Sequence, residues 1–527
     1  MRKMSKFAAC VLAGVMALSL IGCASADGSG NSASASSASA SVSASASKEA
    51  DPAPAEIVKP EKITVMWDGT IFKEGDNYAE EFYQALSDEL GIQIEFIRPD
   101  HSSYAEQVGI AFNDKSTLAD VVILPANYYT AYAAQGNLWN MTDAWLNSET
   151  ANSGRLVDAA KQVIDGWYVN GPDGQKGIYG FYPARGNGCI TYVSAAWAKK
   201  AGYADEASLP TDWAGYQEFL QKMKEANDGK APVLAAGGLF NAEAPYTNYL
   251  PEFWQGAYPD FYQDANGNWV DGFATDDMAA ALDRIAWGYQ NGYINAAILE
   301  GPSTSDVRNK YFYAGETGVF TYWAGTWAYN NITNLAKNGL DTECWKLMPL
   351  KEMGAYYERM SPMIAITTAC KNPEGVFKYF IDTMLDGGKV QMLWQYGVEG
   401  VHYQWNDDHT KIDGLVTQSS KGSEKESKTT KNLFEANLKL ANFAEVDPYT
   451  PADEVIDISF NFFNKYSAAT PAPVSSDVYN EYSATLWTER QELSAKVAKG
   501  ELTGAQAVAK YKEDCDAISA AVIASFK

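Results

Sequence analysis

Between residues 63 and 124 the chain alternates short β-prone runs with helical periodicity, and this alternation narrows the fold more than any other feature of the sequence. Ile63-Thr64-Val65-Met66-Trp67 is β-prone, Asp68-Gly69-Thr70 reads as a turn, and the apolar spacing from Tyr78 to Leu90 predicts a helix. A second strand is predicted from Ile92 to Ile97, a second helix from Tyr104 to Phe112, and a mostly apolar third strand over Asp120 to Leu124. Strands joined through helices imply an α/β fold with a parallel sheet covered on both faces. Such sheets bind ligands at the loops beyond the carboxyl ends of their strands. Trp67-Asp68 and Asn127-Tyr128-Tyr129 are predicted to lie in those loops.

From Ile190 the pattern starts again. Thr191-Tyr192-Val193 predicts a strand leading into a helix at Ala195 to Ala201, and Thr211 or Asp212 is a suitable N-cap for a helix running to about Ala226. Asn266-Gly267 supplies the left-handed turn of a hairpin, and a long helix is predicted from Asp276 to Asn291. Gly318 to Trp323 and Ile364 to Ile366 read as strands, Thr417 to Lys431 as an exposed polar loop, and Asp477 to Lys527 as largely helical.

The N-terminus predicts a secreted chain. Arg2, Lys3 and Lys6 precede an uncharged stretch from Phe7 to Ile21, too short to span a bilayer comfortably. It ends in Leu20-Ile21-Gly22-Cys23, which resembles the lipobox of bacterial lipoproteins; the resemblance implies acylation of Cys23 and a lipid-anchored position on the extracytoplasmic face of the membrane. Ala24 to Lys48 is almost entirely Ser, Ala, Gly and Asn, which buries too little apolar surface to offset its ordering entropy and predicts a flexible tether. No later apolar run reaches the roughly 20 residues that a membrane helix needs. The net charge of −25 argues against a nucleic-acid partner, whose phosphates would be repelled. Aromatics make up 13% of the chain, more than a core alone needs, so some are expected to line a cleft.

Cys189, Cys344, Cys370 and Cys515 are widely and irregularly spaced, and the sequence leaves open both their pairing and their existence as buried free thiols. No metal or cofactor is called for. Asp264-x-Asn266-Gly267-Asn268 superficially suggests a calcium loop, but Thr275 stands where the closing glutamate belongs, so a hairpin is expected. His101, His402 and His409 lack zinc-ligand spacing.

Five short motifs occur in a shared order. Gly177-Ile178-Tyr179-Gly180-Phe181-Tyr182-Pro183, Pro210-Thr211-Asp212-Trp213, Gly325-Thr326-Trp327, Lys371-Asn372-Pro373-Glu374-Gly375 and Tyr396 to Tyr403 together resemble the extracellular solute-binding proteins of ABC importers, in the carbohydrate branch related to maltose-binding proteins and polysaccharide-uptake lipoproteins. Asp212 interrupts the family's usual Thr-Trp dipeptide. The resemblance implies a type II periplasmic-binding-protein-like fold with two α/β lobes built from discontinuous segments and closing about a hinge. The expected organisation is a signal peptide over 1–22, lipidated Cys23 and tether over 23–60, lobe one from 61–182 plus 365–405, and lobe two from 183–364 plus 406–527. It further implies a monomer that delivers a carbohydrate to ABC permease subunits.

A sugar offers flat patches of aliphatic hydrogens and a rim of hydroxyls, so its site needs aromatic faces and polar side chains. The residues expected to supply them are Trp67, Asp68, Asn127, Tyr128, Tyr129 and, just past the first crossover, Arg185 and Asn187. Trp254, Trp323, Trp327, Trp394 and Glu399 complete the set, with Trp327 matching the family's stacking tryptophan. Packing roles compete with these, since a tryptophan at a strand end serves a core equally well, and Tyr128 and Tyr129 are adjacent and cannot easily both face a cleft. A surface-anchored glycoside hydrolase would use similar aromatics but needs two carboxylates across one bond, and nothing in the sequence nominates a pair. A binding protein for a peptide or another non-sugar solute is the other alternative.

Overall fold

The computed structural model describes residues 56–68, 79–100, 103–156, 160–182, 186–241, 244–416, 426–429, 454–471, 474 and 476–526. The predicted signal segment, Cys23, nearly all of the tether, and Arg185 lie outside these residues.

Strands β1 (Lys62–Met66), β2 (Gln93–Ile97) and β3 (Val121–Leu124) alternate with helices α1 (Ala79–Leu90) and α2 (Tyr104–Asn113). β1 runs parallel to both β2 and β3, with Ile63 opposite Ile94 and Met66 opposite Val122. Asp120, just before β3, ties the two central strands together, its Oδ2 accepting hydrogen bonds from the backbone and hydroxyl of Thr64, both at 2.8 Å. Beyond β3 the expected loop is instead a helix, α3 (Ala126–Ala134). Pro125 ends the strand, and its carbonyl accepts from the amides of Tyr128 and Tyr129, so the chain turns helical at once.

A second sheet follows. β4 (Cys189–Ser194) lies antiparallel to β5 (Val319–Trp323) on one side and to β6 (Cys344–Lys346) on the other. Helix α4 (Trp213–Ala226) starts where predicted, with the Asp212 carboxylate accepting from the Gly215 amide. Its buried face is Tyr216, Phe219, Leu220 and Met223, the spacing of one helical stripe. Helices α5 (Asp276–Gln290) and α6 (Thr326–Lys337) pack in the same body. The chain then returns to the first sheet as β7 (Met363–Ile366), antiparallel to β3, giving the order β7-β3-β1-β2. After α7 (Lys389–Tyr396), the chain contributes α8 (Asp477–Ala498) and α9 (Gly504–Ser525) to the second body.

Burial follows this division. One large core gathers Ile63, Val65, Phe82, Leu86, Val121, Ile366 and Phe380, and the other gathers Ile190, Val193, Phe219, Ile285, Leu493 and Val508. Tyr396, Tyr403 and Ile412 form a small separate cluster. Two of the segments that cross between the bodies run side by side: Phe181 and Ile364 exchange backbone hydrogen bonds of 2.8 Å each, and the Arg359 amide donates to the Asn187 carbonyl at 3.0 Å. They approach so closely that a Cβ on Gly186 would lie 1.5 Å from the Arg359 carbonyl oxygen.

The hairpin at Asn266-Gly267 forms, with strands Phe261–Gln263 and Trp269–Asp271 and a positive φ of 79° at Gly267. Asp264 spends its carboxylate on the amides of Asn266 and Asn268 within that turn, while Asp271 turns inward to Arg490 and Tyr511. Part of the predicted loop after Thr417 is strand instead: Glu426–Thr429 pairs with Ile412–Val416. Cys189, Cys344, Cys370 and Cys515 are all free thiols. Among the described residues, no helix is long and apolar enough to cross a membrane.

Candidate ligand-binding site

The carboxyl end of β1 delivers Trp67 and Asp68. Trp67 has no exposed surface; it stacks on Trp394 with ring centroids 5.7 Å apart and 30° between planes, and Phe82 and Phe380 meet Trp394 edge-on. Trp254 is likewise fully buried, against Phe240 at 4.7 Å. A ring with no exposed face cannot stack on a sugar in this conformation. The placement of Trp67, Trp394 and Trp254 on a binding wall is therefore corrected to core packing. Asp68, half-buried, lies near Tyr104, whose hydroxyl donates to the carbonyls of Met66 and Ile123; burial, and secondarily the Asp68 charge, pushes that phenol well above its ordinary pKa.

On α3 the helical period separates the two tyrosines. Tyr129 turns into the core, where its hydroxyl donates to the Trp167 carbonyl and accepts from the Tyr179 amide at 3.1 Å. It too is a packing residue. Tyr128 stays half-exposed and ends a ladder of rings, 5.4 Å from Tyr132, which is 3.8 Å from Phe112. Asn127 lies on the first turn of the same helix. Glu399 is exposed on the turn before Tyr403, whose phenol is pushed up to about 12 by burial and then by the Glu399 charge.

The polar and aromatic side chains converge on the second body. Asn187, at the first crossover, donates through Nδ2 to the Ala324 carbonyl at 3.3 Å and accepts from the Gly188 amide. That contact sets it beside the end of β5, where Gly325, at a φ of 76°, turns the chain from Trp323 into α6. Trp323 and Trp327, on either side of the turn, are both half-buried. Each carries a guanidinium on one face: Arg359 lies 4.9 Å from the Trp323 ring and Arg308 4.3 Å from the Trp327 ring. Arg308 also donates to the Tyr322 hydroxyl at 3.1 Å, and Tyr322 meets Trp327 edge-on at 4.8 Å. Burial pushes the Tyr322 phenol up, and the Arg308 charge pulls it back.

Tyr322 in turn stacks on Tyr249 at 6.0 Å, and Tyr249 opens a depression of about 590 Å³. Phe240, Tyr246 and Trp487 form its other aromatic walls, with Asn241, Ser303, Thr304 and Gln491 as polar lining. Its size and mixture of rings with a few polar groups suit a small organic ligand. Tyr246 is held at a positive φ of 60°, rare for a bulky residue, and its ring lies 4.7 Å from Trp487. Arg308, Tyr246, Tyr249 and Trp487 carry no local sequence signal. Tyr246 and Tyr249 from a loop meet Trp487 of α8 at the depression, and Arg308, on the helical segment Val307–Phe312, joins them through Tyr322 of β5.

The comparisons with known proteins agree with this architecture. The family model for bacterial extracellular solute-binding proteins matches residues 77–424. No curated relative matches the sequence. Among solved structures, the alginate-binding protein AlgQ2 is 17% identical with a TM-score of 0.58, over 89% of this chain and 97% of that one. The HMO-binding ABC-transporter-associated solute-binding protein of Bifidobacterium longum infantis is 16% identical with a TM-score of 0.61, over 88% and 97%. The sugar-binding protein MalE of Xanthomonas citri is 15% identical with a TM-score of 0.55, over 87% and 97%. These chains share the two-lobed type II periplasmic-binding-protein-like fold. With two α/β cores joined by paired crossovers and the family model spanning most of its length, this chain belongs to the bacterial extracellular solute-binding proteins.

Proposed function

We propose that this protein captures an oligosaccharide or polysaccharide fragment between its lobes and delivers it to the permease subunits of an ABC importer, while anchored through a lipid on Cys23. The observation that carries the reading is the aromatic wall from Trp323 and Trp327 through Tyr322 to Tyr249 and its depression, with Asn187 at the crossover as a polar contact. The half-buried rings of Trp323, Trp327 and Tyr249, backed by the buried Tyr322, lie beside hydroxyl and amide groups and match the two surfaces of a sugar. The similar structures named for alginate, HMO and sugar binding support the same ligand class. Tyr128 and Asp68 would face the ligand from lobe one, and Arg185 and Asn127 belong to the same proposed wall. The lobe boundaries, 61–182 plus 365–405 and 183–364 plus 406–527, are part of this reading, as is a monomeric state.

Membership in a solute-binding family sets the hydrolase reading aside, because capture and release need no bond cleavage. The deciding experiment incubates the purified chain with a panel of glycans and peptides, following thermal stability and product formation together. A ligand at 100 times its Kd stabilises the fold by about 2.7 kcal/mol. Stabilisation by a glycan with no product is the expected result. Stabilisation by peptides alone, or release of cleaved sugar, would overturn the proposal.

A further inference from the structure

We infer that the saccharide this site takes carries a carboxylate, and that Arg308 receives it; the inference rests on the carbohydrate reading above and specifies its ligand class. The sequence holds 66 acidic residues against 41 lysines and arginines, and other arginines find either an acid or backbone carbonyls: Arg155 donates to the Leu385 carbonyl and Arg284 to those of Phe253 and Trp254. Arg98 pairs with Glu80, and Arg490 with Asp260 and Asp271. Arg308 sits in no such pair: no carboxylate among the described residues lies within ion-pair distance of it. Asp306, two positions earlier, is taken by Lys310 at 2.9 Å.

What holds Arg308 instead is aromatic. Its guanidinium lies 4.3 Å from the Trp327 ring and 5.5 Å from the Tyr322 ring, and Nη1 donates to the Tyr322 hydroxyl. Stacking and one hydrogen bond fix the plane of the group while leaving most of its five N–H donors for another acceptor. A guanidinium fixed in its plane and lacking an acid is a prepared receptor for a planar, two-oxygen anion, which it binds through two parallel hydrogen bonds. Of the two rings that orient it, Tyr322 is buried and Trp327 is the one proposed to stack on the sugar, so a carboxylate on that sugar would reach Arg308 while the pyranose face lies along Trp327. Neutral hydroxyls would satisfy the donors less well, since only an anion also matches the charge.

The test uses the full-length secreted chain on an array of neutral, uronate-bearing, sialylated and sulfated glycans, followed by calorimetry on the best ligand at low and high salt. Wild type is expected to prefer carboxylate-bearing glycans, with affinity falling as salt rises. R308M is expected to lose about tenfold or more on those glycans, an amount typical of a charge-assisted hydrogen bond, and clearly less on neutral ones, so that the preference for carboxylate-bearing glycans disappears. R308K keeps the charge but not the fork, and is expected to fall between the two. Thermal melts of both variants separate binding from folding; if R308M fails to fold, R308K and the salt dependence of wild type decide. A preference for neutral glycans, or for sulfated ones alone, overturns the carboxylate assignment while the carbohydrate reading stands. Binding of no glycan at all brings down both.

Discussion

Nη1 of Arg490 lies 3.0 Å from Oδ1 of Asp260, with 0% and 3% of the two side chains exposed. Arg490 also reaches Asp271 at 3.2 Å and the Tyr511 hydroxyl at 3.1 Å, and its guanidinium sits 5.2 Å from the ring of Trp487. Tyr479 donates to the second oxygen of Asp260, and Tyr511 and Ser519 to the second oxygen of Asp271. The network ties the C-terminal helices to the 261–271 hairpin and supports the Trp487 wall of the depression.

Removing Arg490 would strand two buried carboxylates, so Arg490→Ala should cost roughly 3–5 kcal/mol of stability. Urea denaturation measures this directly. Adding Asp260→Asn and Asp271→Asn to the arginine variant should restore part of the loss, because the uncompensated charge, rather than the missing contacts, dominates the cost.

The tryptophans divide into two kinds. Trp327→Ala should weaken glycan binding about tenfold with little change in melting temperature, since the ring is half-buried beside the proposed site. Trp394→Ala should instead destabilise the first body by roughly 3–5 kcal/mol, because it empties a packed space against Trp67, Phe82 and Phe380. Calorimetry and thermal melts on both variants would show the contrast. Equal glycan affinity in wild type and Trp327→Ala would remove Trp327 from the site.

Glu252 is fully buried and accepts a hydrogen bond from Thr191; burial raises its pKa from 4.5 to about 7, the Thr191 bond opposing the rise. A carboxyl raised on folding contributes stability that is fully present below its unfolded pKa and is lost as pH climbs through its folded value. Stability should thus decline between about pH 4.5 and 7, by an amount on the order of 3 kcal/mol from this group, and then level off. Glu252→Gln should lack this component. Urea midpoints of both proteins at pH 5 and pH 8 provide the comparison; parallel changes would assign the slope to other groups.

Gly186→Ala should disturb the crossover itself. A Cβ 1.5 Å from the Arg359 carbonyl oxygen cannot be accommodated without moving backbone. The expected result is a lower melting temperature together with an altered radius of gyration in ligand-free scattering. In the wild-type chain, saturating glycan should contract the scattering profile as the lobes close.

Cys23→Ser should shift the protein from the membrane fraction to the medium, since the proposed anchor depends on that thiol alone. Fractionation of cells expressing both forms measures it. Unchanged membrane retention would rule out the lipid.

Local chemistry was readable where it acts over a few residues. The strand-helix alternation, the Asp212 N-cap, the Asn266-Gly267 hairpin and the tryptophans around Gly325 all follow from short-range backbone and side-chain preferences, and the structure carries each. The helix at Ala126 was missed because Pro125 both ends a strand and starts a helix, and a single proline does not say which outcome prevails.

The sequence by itself determined the periodicity of the elements, their caps and turns, and a pool of aromatic residues larger than a core requires. Only the tertiary structure decided which rings remain at a surface. Trp67 is covered by Trp394 and Phe240 by Trp254, while Trp327 is left half-open with Arg308 on its face. Exposure of a ring depends on which distant segments pack over it, and no local pattern encodes that neighbourhood.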